Sequence, residues 1–201
     1  MKIETRDALR ALYGPAGARS AMKQLPALDA HCRRFVSLSP FVLLATSGAD
    51  GLCDVTPRGD APGFVAVADD RTLLLPDRPG NNRLDSLMNI VDRPGVGLLF
   101  VIPGVDETLR VNGTAEIRTD ADLLARFEVD GRAPRTVLRV QVLEAYLHCA
   151  KAFMRSRLWD PAAQVDRAAL PSMGEMLRDQ LQLSHAETQA EMLERYRATL
   201  Y

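Results

Sequence analysis

Phe41-Val42-Leu43-Leu44-Ala45-Thr46-Ser47-Gly48-Ala49-Asp50-Gly51-Leu52-Cys53-Asp54-Val55-Thr56-Pro57-Arg58 passes from an apolar run, through a turn, into an alternating segment. Phe41 to Thr46 is short and apolar and reads as a strand. Ser47 to Gly51 carries hairpin chemistry, because glycine adopts positive φ at no steric cost and aspartate bonds its own backbone. Leu52 to Arg58 returns as a second strand, and the period of two puts Asp54, Thr56 and Arg58 on one face. The middle of the chain is therefore β structure.

The same patterning continues downstream. Phe64 to Ala68 and Thr72 to Leu75 form another hairpin around Asp69-Asp70, and Val96 to Ile102 is a strand ending at Pro103-Gly104. Thr108 to Ile117 alternates, with Leu109, Val111, Gly113, Ala115 and Ile117 on one face and Arg110, Asn112, Thr114 and Glu116 on the other. Val137 to Leu147 is the last strand, with Leu138, Val140 and Val142 opposite Arg139 and Gln141. Helical spacing interrupts at Asn82 to Val91, where Leu84, Leu87, Met88 and Val91 share a face, and after Thr119-Asp120-Ala121-Asp122. Helices also precede the strands (Thr5 to Tyr13, Ala18 to Leu25, and one capped by Asp29) and follow Pro161, where Ser184-His185-Ala186-Glu187 has the form of a capping box.

About six strands thus occupy residues 41–147, with too few helices between them for a doubly wound sheet. The expected fold is mainly β with helical extensions, a closed sheet or barrel. The chain divides into an N-terminal helical extension (1–38), a β domain (39–161) and a C-terminal helical extension (162–201), together one compact domain.

Composition narrows the function. The 201 residues carry 25 basic and 26 acidic side chains, a net charge of −1, which excludes a broad basic nucleic-acid or membrane surface. Only Lys2, Lys23 and Lys151 are lysines; the other 22 basic residues are arginines. Genome composition accounts for most of that bias, so only the placement of individual arginines informs. No apolar run reaches the roughly 18 residues of a membrane span, and Met1 to Asp7 lacks a signal peptide's apolar core. Cys32, Cys53 and Cys149 fit neither a disulfide framework nor a zinc motif, so a cytoplasmic protein with reduced thiols is expected. His31-Cys32 and His148-Cys149 are read as buried thiols beside satisfied histidines, with no metal site.

Leu75-Pro76-Asp77-Arg78-Pro79-Gly80-Asn81-Asn82-Arg83-Leu84-Asp85 is a strand end, a tight turn and a helix start. A helix N-terminus presents unpaired N–H groups that suit a phosphate, and Arg78 and Arg83 could add charged forks. A surface turn with solvated arginines fits the same residues. Thr56-Pro57-Arg58-Gly59-Asp60 puts another arginine at a strand end, and Arg110 and Asn112 share a polar strand face. Lys151-Ala152-Phe153-Met154-Arg155-Ser156-Arg157-Leu158-Trp159 gathers three cations, a hydroxyl and the only tryptophan. Together these segments suit a phosphorylated, ring-bearing ligand.

With Ser39-Pro40-Phe41-Val42-Leu43-Leu44-Ala45-Thr46-Ser47, Asp54-Val55-Thr56-Pro57-Arg58-Gly59-Asp60, Pro76 to Leu87, Thr108-Leu109-Arg110-Val111-Asn112-Gly113 and His148 through Pro161, the chain resembles the pyridoxamine 5′-phosphate oxidase-like family of FMN-binding split barrels, in its bacterial branch of FMN-dependent enzymes. The resemblance implies a six-stranded antiparallel Greek-key split barrel working as a homodimer, with FMN in a cleft at the dimer interface. It places Arg78, Asn82 and Arg83 on the phosphate and Thr56, Pro57, Arg58 and Gly59 beside the ring. Arg110 and Asn112 border the cofactor, and Lys151, Arg155, Ser156 and Trp159 reach a cleft from the partner subunit. The implied activity is hydride transfer through FMN between a small-molecule substrate and a nicotinamide donor, with no catalytic side chain assigned. The end of the chain, from Glu194 onward, departs from the arginine- and histidine-bearing segment that grips the vitamer in true pyridoxamine phosphate oxidases, so vitamin B6 oxidation is not the expected activity. The family also holds haem-binding members, and a non-catalytic flavin or haem carrier or sensor is the alternative.

Overall fold

The computed structural model describes residues 2–200. Three helices lead in, α1 (Arg6–Tyr13), α2 (Ala18–Met22) and α3 (Ala30–Leu38). The body comprises β1 (Phe41–Ser47), β2 (Cys53–Gly59), β3 (Ala66–Asp69), β4 (Thr72–Asp77), α4 (Asp85–Asp92), β5 (Gly95–Val101), β6 (Thr108–Arg118), α5 (Ala121–Ala125) and β7 (Thr136–His148). It is followed by α6 (Lys151–Ser156), α7 (Met173–Leu181) and α8 (Gln189–Leu200). Among the described residues no helix is long and apolar enough to cross a membrane.

The strands form one antiparallel sheet of seven in the order β2-β1-β5-β6-β7-β4-β3. This corrects the expected six-stranded closed barrel in two respects. Seven strands form rather than about six, since both arms of the hairpin around Asp69-Asp70 pair as β3 and β4, over Ala66, Val67 and Asp69 with a register shift between the last two. The barrel also stays open: among the described residues β2 and β3 end the sheet and pair with no further strand. A four-residue, bulged β3 offers too little regular edge to complete a ladder with β2.

Helix α3 packs against β3, β6 and β7. Asp29 caps it by accepting from the Cys32 N–H at 2.7 Å, which turns Cys32 and Val36 inward. Those two side chains join Leu28 in one core with Val42, Leu44, Leu73, Leu75, Leu98, Phe100, Leu109, Val111, Leu138 and Val140. Gly63 adopts φ +82°, and a Cβ there would lie 3.1 Å from the Ser37 carbonyl, so glycine lets the 60–65 loop run close over the end of α3. Strand β4 is buried on both faces: Leu73 and Leu75 face the main core, whereas Leu74 packs with Phe127 and Val137.

Three local expectations shift. Helix α4 begins at Asp85, not Asn82, because Asn82 (φ 57°) and Leu84 (φ 64°) are left-handed. The C-terminal caps are Ser172 with Glu175, and Thr188 with Glu191; Glu187 instead accepts two bonds from Arg195. Only Cys32 of the three thiols is buried; Cys53 and Cys149 are exposed.

Candidate functional site

Side chains join β2, at one edge of the sheet, to β4, the strand next to the other edge. Arg58 points to the concave side of β2 and reaches Asp77 at the end of β4, with Nη1 to Oδ1 at 2.6 Å. Asp60, just past β2, pairs with Arg78, just past β4, at 3.1 Å. Acid and base are crossed between the two strand ends, so these partly buried ion pairs clasp the split where no backbone ladder does. Arg78 Nη1 also donates to the Phe127 carbonyl at 2.7 Å, which ties the clasp to the segment after α5.

Beside this clasp lies a cleft of about 440 Å³. Its walls come from Arg58, from the Asp77 to Asn82 turn, from Leu84 and Leu87, and from Arg135 and Thr136. Arg135 Nη1 donates to Asn82 Oδ1 at 3.3 Å and so braces the turn against the start of β7. The turn has two left-handed non-glycine residues, Asn82 and Leu84, of which leucine is the more strained. Two buried polar atoms of the lining, Arg58 Nε and Thr136 Oγ1, have no hydrogen-bond partner. Such atoms are uncommon in a folded chain, because each forfeits its hydration without a replacement.

The other residues singled out from sequence are distributed over the molecule. Thr56 is half-buried on the same face of β2 as Arg58, and Pro57 and Gly59 are exposed. Arg83 is 77% exposed and turned into a neighbouring cleft with Asp54 and Asn89, where its Nε meets Asp85 Oδ2 at 2.5 Å. That carboxylate pushes the guanidinium pKa up. Arg110 and Asn112 lie on the convex face of the sheet: Arg110 donates to Tyr146 Oη at 3.0 Å, and Asn112 to Glu144 at 2.5 Å. A shallow hollow of about 250 Å³ there is lined by Leu43, Ala45, Val55, Gly97, Leu99 and these two polar residues. Lys151, Arg155 and Ser156 are exposed on α6, and Trp159 packs on Phe153 and donates to the Val105 carbonyl at 3.0 Å.

Within one chain, then, the first cleft gathers Arg58, Arg78 and Asn82 and leaves the other candidates elsewhere. Asp77, Arg135 and Thr136 also line it and were missed in the sequence. Their signal is the register of β4 on β7, which sets Asp77 opposite Thr136 and has no trace in either strand alone. His148 lies against Tyr146 with ring centroids 5.2 Å apart. Its Nε2 is buried without a partner, contrary to the satisfied histidine expected. Burial, with Arg110 and Lys23 nearby, holds its pKa below the usual value.

A variant of HupZ from Group A Streptococcus superposes with a TM-score of 0.51 at 18% identity, over 60% of this chain and 99% of that one. A Clostridium acetobutylicum protein related to general stress protein 26 of B. subtilis, of the pyridoxinephosphate oxidase family, superposes at 0.46 and 17% identity, over 59% and 85%. At these identities the HupZ superposition speaks for the fold alone. No curated protein matches the chain. Residues 28–149, which run from the residue before Asp29 through β7, match the description Pyridoxamine 5′-phosphate oxidase. With more than half of its length inside that match, the chain belongs to the pyridoxamine 5′-phosphate oxidase family.

Proposed function

We propose that the protein is an FMN-dependent oxidoreductase that works as a homodimer and exchanges hydride between a nicotinamide donor and a small-molecule substrate. The observation that carries the reading is the cleft beside the clasp, where Arg58, Arg78 and Arg135 outnumber the two carboxylates that meet them, Asp77 and Asp60. That lining suits an anionic ligand with an extended body, since Leu84 and Leu87 add apolar wall. Buried donors that lack an acceptor, Arg58 Nε among them, fit the phosphate of FMN. The family membership supports the same cofactor class.

When bound, FMN supplies the hydride-accepting and hydride-donating chemistry itself. The chain's residues bind and orient it. Thr56, Pro57 and Gly59, which flank Arg58 on β2, are assigned to the ring end of the cofactor. Arg110 and Asn112 serve the partner subunit's cleft, and the apolar hollow around them supports the face as the contact between subunits. Lys151, Arg155, Ser156 and Trp159 are assigned to the same shared boundary.

Purified protein is expected to be yellow, with absorption near about 450 nm, and to bleach when mixed anaerobically with NADH or NADPH. A colourless protein that leaves added FMN fluorescence unchanged overturns the reading. Bound flavin that resists both donors favours a carrier or sensor over an enzyme.

A further inference from the structure

We infer that Thr136, at the start of β7, is a ligand-binding residue. With Arg58 Nε it forms an acceptor-seeking cradle, rimmed by Arg135, that takes a terminal phosphate monoester. The inference rests on the flavin reading above and relocates the phosphate within it.

The chemistry of the unpartnered atoms identifies the ligand. Arg58 Nε carries a hydrogen and can only donate, and the Thr136 hydroxyl also has one hydrogen to give. Elsewhere in the chain exposed hydroxyls find internal acceptors, as Ser156 does in the Phe153 carbonyl at 3.0 Å. Thr136 has none although its oxygen is buried. The two donors are neighbours: Asp77 stands opposite Thr136 in the β4–β7 ladder and accepts from Arg58 Nη1 at 2.6 Å. A group meeting both donors must bring acceptor oxygens, and it must carry negative charge to lie among Arg58, Arg78 and Arg135. A terminal phosphate has enough oxygens to accept from Thr136, Arg58 and Arg135 together while Asp77 keeps its own bond to Arg58. The arginines of the 78–83 turn are engaged otherwise. Arg78 bonds Asp60 and the Phe127 carbonyl, and Arg83 bonds Asp85 in the neighbouring cleft.

The test is a fluorescence-quenching titration of the full chain with FMN and with riboflavin, which lacks the phosphate. Wild type is expected to prefer FMN. Thr136→Val is expected to lower FMN affinity about tenfold while leaving riboflavin affinity unchanged. Thr136→Ser, which keeps the hydroxyl, is expected to retain the preference, and Arg135→Ala, at an exposed site, to lose part of it. Unliganded Thr136→Val is expected to melt at or above the wild-type temperature, since it removes an unsatisfied buried hydroxyl. Equal binding of the two flavins by wild type, an unchanged preference in Thr136→Val, an equal loss for both flavins, or a lower melting temperature of the unliganded variant each overturns the inference and leaves the flavin reading standing. Wild type that binds neither flavin overturns both.

Discussion

Arg78 and Arg83 lie in one tight turn but serve different surroundings. Arg78 is held between Asp60 and the Phe127 carbonyl, with little of its side chain in water, whereas Arg83 stands in solvent beside Asp85. Replacing both with alanine is expected to weaken FMN binding, and the structure divides the loss unequally. Arg78→Ala is expected to weaken FMN binding by about 1.5–3 kcal/mol indirectly, because it removes the charge-assisted bonds to Asp60 and the Phe127 carbonyl that hold the cleft wall. Arg83→Ala is expected to leave FMN affinity almost unchanged, because its ion pair with Asp85 stands in solvent. Flavin fluorescence titration of the single variants reads this directly, and equal losses would place the phosphate on the turn itself, against the Thr136 cradle. The thiols make a second residue-scale contrast. Burial, with Asp29 beside it, pushes the Cys32 thiol up to about 11, so it stays protonated and shielded at neutral pH. Iodoacetamide is expected to label Cys53 and Cys149 in the folded protein and Cys32 only on unfolding, as peptide mass mapping would report. Because the folded pKa of Cys32 lies above its ordinary value of 9.0, its contribution to stability is full below pH 9 and is lost as pH rises toward 11. The arginines and cysteines were legible as types. Their partners were not, since Asp60, Asp77 and Phe127 approach them only through the closing of the sheet.

Periodicity fixed the strands well because the two faces of most of them meet different media. In β6, Leu109, Val111 and Ala115 are buried while Arg110 and Asn112 are not, and this burial contrast is what an alternating sequence records. Even β3, half-buried or exposed along its length, was legible as one arm of the hairpin around Asp69-Asp70, although the pattern gives a total of about six and the bounds of β3 move to Ala66–Asp69. The start of α4 was not legible. Leu84 has helical spacing to Leu87 and Met88, yet its left-handed backbone puts it before the helix, and spacing does not report φ. Gly113 shows the same limit within a strand. By alternation it is one more inward-facing position, but the β6–β7 register shifts between Asn112 and Gly113, and a Cβ on Gly113 would fall 2.0 Å from the Gln141 carbonyl oxygen. The neighbour is backbone in the adjacent strand and cannot swing aside. Gly113→Ala is therefore expected to destabilise the fold by about 3 kcal/mol or more, with a lower urea midpoint and an unchanged slope. A variant of wild-type midpoint would mean that the two strands separate at the bulge at little cost.

At the scale of the molecule, the candidate residues form two sets that one chain keeps apart. Arg58, Arg78 and Asn82 line the concave cleft beside the clasp, and Arg110 and Asn112 sit on the convex face of β6. The sequence lists both sets in one line and carries no mark of which subunit presents each to a given ligand. A homodimer reconciles them if the convex face of one subunit meets the cleft side of the other. That face has the character of a contact surface: Val55 is 64% exposed there, next to Leu43, Ala45 and Leu99, with Arg110 and Asn112 as its polar members. Light scattering is expected to give about twice the chain mass of 22.1 kDa. Leu99→Asp puts a charge into the hollow without touching the cleft or its clasp, and its neighbours on the sheet include Arg110, which stands opposite it in the β5–β6 ladder. The variant is expected to elute as a monomer with a native circular dichroism spectrum and to bind FMN at least tenfold more weakly, because an aspartate buried without its hydration opposes association. A monomeric variant with wild-type FMN affinity would place the whole cofactor site within one subunit. A monomeric wild type would remove the partner's share of the site, and Arg110 and Asn112 would then have no route to the cleft.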